Sequence, residues 1–77
     1  MRAIHLSEVR GLVWKCIEIV GESPESFAKA VQNAVSEAGK TVKQMQWFEA
    51  TSLRGTIQDG KVIQFQAMVK IGFKVER

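Results

Sequence analysis

The last fifth or so of the chain alternates without a break. In "KVIQFQAMVKIGFKV" (residues 61–75), Ile63, Phe65, Ala67, Val69, Ile71, Phe73 and Val75 occupy one parity. Val62, Gln64, Gln66, Met68, Lys70, Gly72 and Lys74 occupy the other. A period of two over that length fits only a long strand with one apolar face. Asp59-Gly60 stands just before it, the pair that a two-residue type I′ hairpin prefers, so "WFEATSLRGTIQ" (47–58) reads as its antiparallel partner.

Upstream, "LVWKCIEIVG" is rich in β-branched and aromatic residues and reads as a first strand ending at Gly21. A helix follows. Ser23 is its expected N-cap, Pro24 suits the first helical position, and Glu22 and Glu25 favour the positive end of the dipole. Phe27, Ala30, Val31, Ala34, Val35 and Ala38 form the apolar stripe, and Gly39 offers a left-handed cap. Such a helix has about fifteen residues and a length of about 22 Å. The fold class is α+β, in the order β-α-β-β.

These lengths conflict usefully. Fourteen strand residues extend roughly 46 Å, about twice the reach of the helix. Apolar surface and sheet edges are left open in a single copy, which predicts self-assembly through the sheet. A chain of 77 residues needs such help, because small domains bury a modest fraction of their surface. One Cys and one His (Cys16 and His5) provide neither an intrachain disulfide nor a tetrahedral metal site. Cys16, in an apolar run, reads as a buried and inert thiol.

If residues 58 and 61 pair across the turn, the register follows. Trp47 falls opposite Gly72, Phe48 opposite Ile71, Glu49 opposite Lys70 and Ala50 opposite Val69. Beyond these come Thr51 opposite Met68 and Leu53 opposite Gln66. Trp47, Gln64 and Gln66 then share the face turned away from the helix. For Trp47 the plainer reading is an indole covering the gap at Gly72; the sharper one is a platform for a planar ligand. Gln64 reads as solvated strand polarity. Gln66 is open between that and an amide offering donors and an acceptor to a ligand edge. Arg54 falls opposite Phe65, on the helix face. Either it lies beyond the helix's cover or a bulge at Ser52–Leu53 shifts the parity.

Catalytic patterns are missing. There is no P-loop, glycine-rich dinucleotide turn or plausible triad, and Glu49 reads as the ion-pair partner of Lys70. The chain is expected not to be an enzyme. A net charge of +3 with interspersed signs is weak evidence for nucleic acid, and no apolar run approaches the roughly 20 residues of a membrane span. Cytoplasmic is the expected location, and residues 1–10, without a clear period, read as an arm preceding a domain over 11–77.

Taken together, "WKCIEIVGESPESF", "WFEATSLRGTI", "DGKV" and "FQAMVKIGFKVE" resemble the dodecins, small flavin-binding proteins. The resemblance runs from about Trp14 to Glu76. It implies a subunit whose three-stranded antiparallel sheet partly wraps one helix, assembled as a hollow dodecamer. It also implies a flavin ligand (FMN, riboflavin or an FAD-related form), with Trp47 stacking on it and Gln66 hydrogen-bonding its ring. Arg54 matches an arginine near the ligand's phosphate or near a second ligand of the coenzyme A type. Lys74 stands where some members carry a basic residue, and Trp14 where Tyr is common. The implied role is storage or sequestration of flavin, with its photochemistry quenched by electron transfer from the indole. Trp47 and Gln66 are about 20 Å apart along a strand, so the resemblance also implies a site shared between subunits. The alternative, from another class, is a small basic module that stacks a nucleic-acid base on Trp47.

Overall fold

The computed structural model describes residues 13–75. Strand β1 spans Trp14–Ser23, helix α1 Phe27–Ala38, β2 Met45–Gln58 and β3 Lys61–Lys74. All three strands join one antiparallel sheet in the order β1-β3-β2, so the alternating strand is central and both others are edges. The arm expected over residues 1–10, with His5 and Arg10, lies outside the described residues.

The turn behaves as its residues dictate. Asp59 and Gly60 take positive φ angles of 54° and 76°, and Gln58 pairs with Lys61. The helix starts later than its sequence suggests. The ladder between β1 and β3 continues through Glu22↔Gln66 and Ser23↔Phe65, which holds Ser23 in the strand. Its hydroxyl oxygen accepts from the Glu25 amide (2.9 Å), a local turn rather than a helix cap. Ser26 is the N-cap: its backbone is extended and its Oγ accepts from the Lys29 amide at 3.0 Å. The helix therefore has twelve residues, with no acidic side chain in its first turn. Gly39 is not left-handed but helical (φ −64°), and the chain winds on through amide bonds from Thr41 and Val42 to the Ala38 carbonyl.

Packing follows from small residues. Ala30, Ala34 and Ala38 are buried beneath the helix, against Ala67, Val69 and Ile71 of the central strand. Gly21 allows the close approach, since a Cβ there would collide with the Ala30 carbonyl oxygen and the Ala34 methyl. Phe27 closes one end, edge-on to Phe65 at 5.0 Å. The helix packs on β1 and β3, and β2 stays almost wholly exposed. Phe48 and Ile57 of β2 are 55% and 70% exposed, which is the uncovered apolar surface the length mismatch predicts. The single chain is correspondingly elongated, 58 × 29 × 15 Å.

The hairpin register departs from a uniform ladder in its middle. Trp47↔Gly72, Phe48↔Ile71, Glu49↔Lys70 and Ala50↔Val69 pair as expected. A bulge between Ala50 and Ser52 then takes Thr51 out of the ladder, so that Ser52 meets Met68 and Leu53 meets Ala67. Arg54 consequently pairs with Gln66, not with Phe65, and stands on the face away from the helix. A further irregularity between Thr56 and Ile57 restores the original register before the turn, and another, between Met45 and Trp47, lies at the start of β2. The bulge thus turns an apolar Leu53 toward the helix side and a cationic Arg54 outward. The physical reason for the correction is one unpaired residue, which inverts parity for every position up to the next irregularity.

Candidate functional site

The outward face of the sheet carries two clusters, one near the C-terminal end of β3 and one near its middle. At the first, the indole of Trp47 lies over Gly72, and a Cβ on Gly72 would overlap its six-membered ring. Cys16 of β1 pairs with Gly72 from the other side, so the bare glycine separates two edge strands. Trp14 reaches across this gap: its ring centroid is 6.3 Å from that of Trp47, the planes inclined at 56°. Covering the glycine does not use up the indole, because Trp47 remains 40% exposed. Cys16 is exposed rather than buried, since its register partner places it on this outer face.

At the second cluster, three strands each contribute one polar residue. Arg54 of β2, Gln66 of β3 and Glu22 of β1 lie in one row of the ladder. The Nε of Arg54 donates to Oε1 of Gln66 at 3.0 Å, and Nε2 of Gln66 donates to Oε1 of Glu22 at 2.7 Å. The amide thereby links a guanidinium to a carboxylate, two charge-assisted bonds that hold it in one orientation. Of the two alternatives that the sequence leaves open for Arg54, the parity-shifting bulge is the one observed, at Ala50–Ser52 instead of Ser52–Leu53, whereas the sequence reads Glu22 as helix-dipole polarity. A complete register, bulge included, would have found both.

Between the clusters, Lys70 stands in register with both Glu18 and Glu49. Among the described residues, however, the ion pair within 4.0 Å is Lys40–Glu37, so Glu49 and Lys70 are register partners that do not form the expected ion pair. Gln64 is half-buried, with its side-chain oxygen unpartnered.

The larger concavity, about 610 Å³, runs along the free edge of β1 beneath the helix and includes neither Trp47 nor Gln66. A smaller one of about 180 Å³ adjoins Trp47, lined also by Val35, Met45, Phe48 and Ile71. The candidate site is therefore an open sheet face, not a closed pocket. Among the described residues no group of His, Cys, Asp and Glu could hold a metal ion, and no helix is long and apolar enough to cross a membrane.

Comparison with known proteins bears on this arrangement. The family model described as Dodecin matches residues 13–76. The chain belongs to the dodecin family. It is 39% identical over 66 residues to the dodecin of Thermus thermophilus, covering 86% of this chain and 96% of that protein. Among solved structures, dodecin from Streptomyces coelicolor is 41% identical with a TM-score of 0.80, over 86% of this chain and 94% of the other. An arginine-to-alanine variant of the T. thermophilus dodecin superimposes with a TM-score of 0.82 at 37% identity, over 87% of this chain and all of the other. The β-α-β-β subunit, with three antiparallel strands and one helix, is thus the dodecin subunit. Membership also supports, in general terms, a small flavin-binding protein.

Proposed function

We propose that this dodecin stores flavin without chemical turnover, in sites completed only when copies of the chain assemble as a dodecamer. The observation that carries the reading is the distance between Trp47 and Gln66 on one face. Their register partners on β3, Gly72 and Gln66 itself, are six positions apart. At about 3.3 Å per residue that is roughly 20 Å, longer than the tricyclic ring of a flavin. One ring therefore meets Trp47 of one subunit and Gln66 of another.

The residues suit such a ligand. An exposed indole offers an electron-rich plane to an electron-poor isoalloxazine, worth about 0.5–1.5 kcal/mol beyond area burial. A bound flavin supplies a pyrimidine edge of alternating carbonyl and N–H groups. Gln66, after its bonds to Arg54 and Glu22, retains one hydrogen and one lone pair for such an edge. Arg54 stands beside Gln66, where its cationic head suits the phosphate of FMN or of a ligand such as coenzyme A. Trp47, in contact with the ring, donates an electron to the light-excited flavin and takes it back, which dissipates the excitation. The uncovered apolar residues of β2 favour assembly, about 1.5–3 kcal/mol for each large side chain fully buried.

Titration of riboflavin with the purified protein tests the reading. Its fluorescence falls on binding, and Trp47→Ala restores it. Undiminished fluorescence with the native protein, or salt-sensitive oligonucleotide binding in its place, contradicts the assignment.

A further inference from the structure

Glu22 is anchored twice. Its backbone carbonyl accepts from Nδ2 of Asn33 on the helix (2.9 Å), while its carboxylate takes a hydrogen of Gln66 at 2.7 Å. Arg54, by contrast, holds Gln66 through a single bond from the end of a long, exposed side chain. Of the two bonds on the amide, the one to the carboxylate is therefore the shorter and the better anchored, whatever group the ligand offers to Arg54. Carboxylate–amide bonds are charge-assisted and stronger than neutral ones. We infer that Glu22 is a positioning residue for ligand recognition, setting the amide plane of Gln66 so that its remaining hydrogen and lone pair match a carbonyl and adjacent N–H of the flavin edge. The inference rests on the flavin reading of Gln66 given above.

The consequence is selectivity for an unblocked ring edge. Methylation of the flavin N3 removes the hydrogen that Oε1 of Gln66 would accept, but leaves the stacking surface on Trp47 intact. Riboflavin and N3-methylriboflavin, titrated by fluorescence quenching against the assembled protein, separate the two contributions. The native protein prefers riboflavin by about tenfold, roughly the worth of one hydrogen bond to an oriented partner. Glu22→Ala lowers that ratio to within about twofold, with N3-methylriboflavin affinity falling less than that of riboflavin and quenching at saturation still complete. Glu22→Gln keeps an acceptor but loses its charge, so the ratio falls part of the way, to about threefold. This second variant preserves the shape of the side chain if the alanine variant does not assemble. A Glu22 variant with the native ratio, or one that weakens both ligands equally, overturns the inference. Equal affinity of the native protein for the two ligands also overturns it, and leaves stacking on Trp47 standing. Failure of the native protein to quench either ligand removes the flavin reading and this inference together.

Discussion

The indole of Trp47 occupies the volume that a side chain on Gly72 would need. The two are register partners on neighbouring strands, and the glycine sets where the indole can lie. Gly72→Ala therefore displaces Trp47 instead of breaking the sheet, because the colliding atoms are the far end of a side chain. The expected outcome is a folded protein with an unchanged far-ultraviolet circular dichroism spectrum and riboflavin affinity lowered at least about tenfold, the loss of roughly one stacking contact.

Gly21 presents the opposite case. A methyl group there meets the backbone of the helix at Ala30, which cannot move away alone. Gly21→Ala is expected to cost about 1–3 kcal/mol through overpacking, read as a lower urea midpoint with an unchanged slope.

Ser26 and Ser23 separate two versions of the helix start. Ser26→Ala removes the cap to the Lys29 amide and costs about 1 kcal/mol in thermal or urea unfolding. Fully buried Ser23, whose oxygen holds the Glu25 amide, loses a turn bond within the strand end instead. Ser26→Ala with native stability contradicts the assignment of the cap.

Gly60 has a positive φ of 76° with open space around it, so the cost of a side chain there is conformational alone. Gly60→Val is expected to destabilise the hairpin by about 1–2 kcal/mol without altering riboflavin affinity per assembled site. Equilibrium unfolding and flavin titration of the same sample check both halves.

These expectations differ in how far they could be read from residue order. The alternation of 61–75 and the Asp59-Gly60 turn carry their own geometry, so β3, the hairpin and the Trp47–Gly72 pair follow directly. The mismatch between a short helix and long strands was equally legible, since it depends on rise per residue alone. What escaped is what one unpaired residue decides. The placement of Arg54 opposite Phe65 already points to a bulge near Ser52–Leu53 as one resolution, but nothing in "EATSLR" marks Thr51 as the unpaired residue. The helix start failed for a related reason: Ser23 and Ser26 are equally good caps locally, and pairing of Ser23 with Phe65 chooses between them. Glu22 escaped because its partner Gln66 lies 44 residues away.

Sedimentation velocity followed at the visible absorbance of riboflavin tests the central claim, that a flavin is held between copies of this chain and not by one. All bound flavin should sediment with the oligomer, none with the 8.6 kDa chain produced by dilution or mild denaturant, and none with an intact Trp47→Ala oligomer. Riboflavin travelling with the single chain, or with the Trp47→Ala oligomer at native stoichiometry, would contradict it.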